Sequence, residues 1–150
     1  MKHWEYTINS LWLLNLVVLA VGVFYAIPDK YLLDYRSIDI TYECIDGEQI
    51  LHAVSERYPK ITLAGSGEDN IFIYPVSDGD LPVKRIEWSG ATYRVGTTND
   101  AWDIIIEGEN LQQGTYLLRG EILVKLLFLT RALDPVDSNS FEVSTCQKKS

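Results

Sequence analysis

Few side chains in this chain could do covalent or acid–base chemistry, and their spacing narrows the choice. There are two cysteines, Cys44 in "YEC" and Cys146 in "STC", the fifth residue from the end. There are two histidines, His3 and His52. A Ser-His-Asp or Cys-His arrangement would have to use His52, since His3 sits before a long apolar run. "ILHAVSER" has no nucleophile elbow, and neither cysteine has a motif around it. His52 is therefore read as a partly exposed polar residue that can titrate near neutral pH. Two thiolates alone do not make a zinc site. Glu68, Asp69, Asp78 and Asp80 cluster in glycine-bearing turns, "GSGED" and "SDGD". They lack the regularly spaced oxygens of an EF-hand loop, so solvated turns are expected. "AGSGED" has no Lys-Ser/Thr and is not a phosphate-binding loop. The chain is read as a non-enzyme, and no cofactor or metal is implied.

Where the cysteines can pair depends on the compartment, and the compartment depends on the N-terminus. "LWLLNLVVLAVGVFYAIP" is almost purely apolar, and no charge falls between Glu5 and Asp29. As a helix, that stretch reaches roughly 30 Å, enough for a bilayer core. Trp4, Tyr6 and Trp12 at one end, with Tyr25 and Tyr31 at the other, suit an interfacial aromatic belt. Pro28 and Asp29 stop the helix. The alternative is a cleaved signal peptide. Against it, apolar residues continue past Ala20 to Ile27, and bulky Phe24 stands where a small residue is wanted. The expected division is a cytoplasmic tail over 1–7, a transmembrane helix over 8–28, a linker over 29–36 and an exported β-domain over 37–150. This predicts a single-pass inner-membrane protein with a cytoplasmic N-terminus and a periplasmic domain. In that compartment Cys44 and Cys146 are expected to form a disulfide joining the first and last strands. The parity is awkward: Cys44 alternates with apolar residues, Cys146 with Glu142 and Ser144. The bond needs Cys146 beyond the regular strand, or a bulge.

Beyond the anchor the pattern is that of strands. "SIDITYEC" alternates, with Ile38, Ile40, Tyr42 and Cys44 on one face. Asp46-Gly47 supplies a tight hairpin turn. "EQILHAVSERY" is ambiguous between a strand and a short helix. "KITLA" and "NIFIYPV" flank a glycine-bearing hairpin loop, and "VKRIEWSG" and "ATYRVG" are strands around Gly90. In "TYLLRGEILVKLLFLTRAL" the alternate residues from Leu118 to Ala132 carry no charge. That predicts two strands or a bent one, with Gly120 as a bend or bulge. The fold class expected is mainly β: one N-terminal transmembrane helix, then an antiparallel β-sandwich or barrel.

Three further groups are candidates for recognition. Trp88, Tyr93 and Trp102 are read first as core, and otherwise as aromatics of a ligand pocket or partner surface. Asn15, Gly22 and Ala26 fall on one stripe of the apolar helix. Gly22-x-x-x-Ala26 allows close helix approach, and Asn15 can hydrogen-bond across an interface. The formal charge is −8. An acidic domain has no counterions to release from a phosphate backbone, so nucleic acid is excluded as a direct partner.

A short tail, one membrane helix, an exported β-domain and cysteines in "YEC" and "STC" together resemble the small FidL-like and ToxS-type accessory proteins. "RIEWSGATYRV" and "GTYLLRGEILV" resemble the FidL-like group more loosely. Those proteins accompany membrane-anchored, ToxR-like transcription regulators in Gram-negative bacteria. The resemblance implies an accessory domain that binds the regulator's periplasmic part, or completes a cavity for a small amphipathic signal. It carries over no catalytic residue. The alternative from another class is a structural subunit of an envelope or phage-encoded membrane complex.

Overall fold

A computed structural model of the chain describes residues 2–65, 69–77, 81–88, 92–96 and 99–147. The turn residues Glu68, Asp78, Asp80 and Gly90 lie outside the described residues. Asp69 is described as backbone only.

The apolar run forms one helix, α1 (Lys2–Ala26). Its segment Asn9–Ala26 is long and apolar enough to cross a membrane. Leu11 to Leu14 and Leu16 to Leu19 are all exposed, so the helix is apolar around its circumference. Such a surface is found in buried core helices and in membrane spans; here no protein covers it. A 3-10 turn at Asp29–Tyr31 leads directly into the first strand.

Among the described residues, twelve strands follow. They are β1 (Leu33–Ile45), β2 (Glu48–Pro59), β3 (Leu63–Gly65), β4 (Asp69–Pro75), β5 (Lys84–Trp88) and β6 (Thr92–Tyr93), then β7 (Asn99–Ile105), β8 (Gly114–Glu121), β9 (Leu123–Leu126), β10 (Leu129–Ala132), β11 (Val136–Asp137) and β12 (Phe141–Val143). Every pairing among them is antiparallel. β1, β2 and β7 make one sheet in that order. The other strands run in the orders β10-β9-β3-β6 and β11-β8-β4-β5, with β12 also on β8. These two orders are the same four chain segments met twice. β3 continues into β4, β5 into β6, β8 into β9, and β10 into β11 and β12. The result is one bent four-stranded ribbon facing the three-stranded sheet. No sheet closes into a barrel among the described residues.

This arrangement corrects the local hairpin reading of "KITLA" and "NIFIYPV". β3 pairs with β6 and β9, whereas β4 pairs with β5 and β8. β3 and β4 do not pair with each other; they lie in successive stretches of the same ribbon strand. The bend in the long apolar segment falls at Ile122, between β8 and β9, rather than at Gly120 within β8. Alternation holds from Tyr116 to Val124, then changes parity at the two-residue turn Leu127-Phe128. Arg131 and Leu133 therefore turn inward, and Thr130 and Ala132 outward.

The main core lies between the two sheets. Ile38, Ile40, Leu51 and Ile104 meet Ile71, Ile73, Leu118 and Phe141 there. A second cluster sits past the bend, where Phe24 of α1 packs with Leu33, Leu63, Tyr93, Ile122 and Val124.

Two side-chain amides substitute for missing ladder pairs. Buried Gln49 donates to the Leu111 carbonyl (2.9 Å) and accepts from the Leu111 amide (2.6 Å). Asn139 accepts from the Ile40 amide (2.6 Å) and donates to the Ile40 carbonyl (3.2 Å), which ties β1 to the stretch between β11 and β12. The same edge carries the disulfide Cys44–Cys146, with Cα atoms 5.6 Å apart. Cys146 lies past β12, free of its alternation, which resolves the parity conflict.

Breaking the disulfide, by reduction or by the double change C44S/C146S, is expected to cost about 4–5 kcal/mol, since the bond closes a loop of about a hundred residues. Q49A, which strands two buried backbone groups, is expected to cost about 2–4 kcal/mol. Urea titration of the detergent-solubilised chain, monitored by circular dichroism, measures both.

Candidate functional site: the inter-sheet cleft

Where the bent ribbon turns away from the three-stranded sheet, the two separate and leave a cleft of about 60 Å³. Its floor is apolar: Ile38, Ile71, Leu118, Gly120 and Ile122. Its rim is polar: Asn70, Asp100 and Glu121. The volume admits a few waters or the end of an apolar chain.

Arg57 is the main charged group of the wall. It lies on the inward face of β2, following Gln49, Leu51, Ala53 and Ser55 at every second position, and is 6% exposed. Its Nη1 donates to the Tyr35 hydroxyl at 3.2 Å, and its Nη2 donates to the Asp100 carboxylate. The guanidinium lies over the Tyr93 ring, 4.8 Å from the centroid. Tyr35 meets Tyr93 edge-on at 6.5 Å. The buried Arg57 Nε has no hydrogen-bond partner, and neither has the buried Ser55 hydroxyl on the same strand face. A guanidinium held on an aromatic face, with one N–H unspent, retains the capacity to donate to an acceptor.

Two of the three aromatics singled out from the sequence meet here: Tyr93 and Trp102 both line the cleft. Trp88 lies on β5 opposite Asp69, and its side chain lies outside the described residues. Sequence reading missed Tyr35, Arg57 and Asp100. The signal was present at β2, where a strand assignment puts Arg57 on the buried face.

His52 is elsewhere, on the outer face of the three-stranded sheet. β1, β2 and β7 place it between two carboxylates, with Nδ1 2.6 Å from Asp103 and Nε2 2.9 Å from Glu43. With both ring nitrogens facing acceptors, the imidazolium is favoured and the pKa is raised, chiefly by Asp103 and then by Glu43. Among the described residues, the hydrogen-bond partners of its ring are the two carboxylates, not a serine, threonine or cysteine. Among the described residues no cluster of His, Cys, Asp and Glu is arranged to hold a metal ion.

The helix stripe is separate again. Gly22 and Ala26 are exposed, and beyond its chain neighbours and its own helix backbone no atom lies within 4 Å of where a Gly22 side chain would start. The Asn15 amide donates to the Leu11 carbonyl of its own helix at 2.9 Å. Phe24 is two residues from Gly22, roughly half a turn away, so the stripe faces away from the domain that Phe24 packs against.

Two outcomes test this geometry. D100N leaves the buried guanidinium without its carboxylate and is expected to destabilise the fold by about 1–3 kcal/mol, kept small because Asp100 is half exposed. R57M removes the buried charge and is expected to stay within about 1 kcal/mol of wild type. Denaturant melts that reverse this order would refute the assignment. For His52, an NMR titration is expected to give a midpoint above the ordinary 6.5, lowered by D103N more than by E43Q. Its stabilising contribution is then complete below about pH 6.5 and lost as pH rises through the higher native value.

No family model matches the chain and no curated protein matches it.

Proposed function

We propose that this is a single-pass inner-membrane accessory protein whose periplasmic β-domain binds and modulates a partner membrane protein. The partner that the FidL-like and ToxS-type resemblance favours is a membrane-anchored transcription regulator. The cleft takes the apolar end of a small amphipathic ligand, whose polar group meets Arg57.

One observation carries this reading. Tyr93 and Ile122 belong both to the cleft lining and to the cluster in which Phe24 of α1 is seated. An occupant of the cleft therefore presses on the same side chains that hold the helix. The stripe Asn15–Gly22–Ala26, open and turned away from the domain, supplies a surface for a partner helix. The disulfide supports an oxidising compartment for the domain. An occupant changes the partner only if it binds the two states of the complex unequally.

Pull-down of the tagged full-length chain from membranes, followed by mass spectrometry, is expected to recover a second membrane protein. G22L is expected to reduce that recovery while leaving the β-domain folded. Recovery of only a homo-oligomer would overturn the accessory reading. Recovery inside a large fixed-stoichiometry envelope assembly, unaffected by cleft substitutions, would favour a structural subunit instead. Titration of the solubilised protein with an amphipathic carboxylate, read by tryptophan fluorescence, is expected to give saturable binding. R57A should weaken it about tenfold, equivalent to ~1.4 kcal/mol, and W102F should remove most of the signal.

A further inference from the structure

We infer that the β9–β10 hairpin is a second membrane contact, its tip entering the leaflet that holds the C-terminal end of α1. The inference rests on reading α1 as a membrane span, and goes beyond it by giving the β-domain a lipid-facing element of its own.

The tip is Leu127-Phe128, a two-residue turn closed by the pair Leu126 and Leu129. Both side chains are thrust out, Leu127 at 82% and Phe128 at 73% exposure. Leu127 has φ 55°, a left-handed conformation at the turn position where glycine is the usual choice. Turns that face water carry Gly, Asn, Asp or Ser, whose backbone freedom and polar groups suit them to it. A leucine held at positive φ next to a phenylalanine has no such rationale in water, and strained residues gather at functional positions.

Contacts with α1 fix where the tip goes. Asp29 accepts from the Asp134 amide at 2.6 Å. Arg131 donates to the Ile27 carbonyl at 2.6 Å and the Phe24 carbonyl at 2.7 Å. The Tyr25 hydroxyl donates to the Thr130 carbonyl at 2.9 Å. Residue numbers fall together along both elements, so β10 runs back along the helix toward its N-terminus. The tip lies two residues beyond Thr130, roughly 7 Å further along a strand. At about 1.5 Å per helical residue that is the level of Ala20 and Val21, inside the apolar span. Exposed Lys125 pairs with Thr130 at the level of Tyr25, where an ammonium and a phenol meet lipid headgroups. An insertion of about this depth is the range of interfacial membrane contacts.

The test uses the full chain in phosphatidylcholine–phosphatidylglycerol vesicles. The native sulfurs are paired, so under non-reducing conditions an environment-sensitive fluorophore labels only an introduced thiol. F128C is the probe of the tip, with L127C as its second position. L19C reports the helix, and E107C, on the exposed stretch after β7, reports the aqueous side. The expected result is blue-shifted emission and quenching by nitroxide lipids at 128, 127 and 19, with water-like emission at 107. Lipid quenching at 19 with water-like emission at both 127 and 128 would overturn the hairpin contact and leave the span intact. Water-like emission at 19 as well would overturn both.

Discussion

The last carbonyls of an α-helix have no partners within it, and in this protein a side chain from the far end of the chain supplies them. Arg131 donates to the carbonyls of Phe24 and Ile27 while paired with Asp29, and Asp29 in turn holds the Asp134 amide. A cation at a helix C-terminus is also favoured by the macrodipole. Arg131 is mostly buried, at 15% side-chain exposure. That position raises the value of each of its bonds and the cost of leaving any one unmade. With Phe24 seated beside it in the second cluster, the helix ends in a fixed joint. An apolar helix joined to its domain by a flexible linker would leave the domain free to tumble. Here the orientation of the β-domain relative to α1 is set by side chains, and so is the position of everything the domain carries.

The same joint explains why the ribbon bends. The three-stranded sheet can cover only part of the ribbon's inner face, and beyond that it would leave apolar residues bare. Past Ile122 the ribbon curls over Phe24, Leu32 and Leu33, so the helix end and the start of β1 take the place of the missing sheet. The cleft forms at the changeover, where neither partner fully fills the angle. The layers are pinned by Asn139 at Ile40 and, further along β1, by the disulfide. The fold is thus closed along one edge and under-packed at one corner. A protein of this size has the apolar residues to fill that corner. Instead, an arginine stacked on Tyr93 stands in its wall. A buried ion pair is weak evidence for stability, since an apolar replacement of similar volume often does as well.

Much of the architecture could be read from local pattern. The uninterrupted apolar run predicts α1, and alternation over "SIDITYEC" predicts the inner face of β1. Asp46-Gly47 predicts the first hairpin, borne out by φ values of 51° and 87°. The pairing of Cys44 with Cys146 followed from compartment and count. What escaped was decided at long range. Gln49, Ser55 and Arg57 sit on the buried face of β2, and three polar residues there blur the alternation that would separate strand from helix. Gln49 is tolerated because Leu111 satisfies it, 62 residues away. "GSGED" has the composition of a hairpin loop, yet β3 and β4 on either side of it pair with β6, β9, β5 and β8 rather than with each other. The turn at Leu127-Phe128 carries no turn residue at all, so the segment reads as unbroken alternation.

The cleft and the helix joint bear on each other through few side chains, and that limits what the domain can transmit. Tyr93 supports the Arg57 guanidinium from below and belongs to the cluster around Phe24. Ile122 lies at the bend and lines both spaces. Packed cores shift between discrete arrangements more readily than they deform. An occupant that moves Tyr93 must therefore either be accommodated by Arg57 and Tyr35 alone or be felt at Phe24. Phe24 is held from two directions, by the cluster and by its carbonyl's bond to Arg131. Rotation of the helix would break the second to relieve the first. A signal passed this way would act on the angle between domain and helix more readily than on the distance between them, and a partner helix lying along Asn15, Gly22 and Ala26 would register such a change as a shift of its contact stripe.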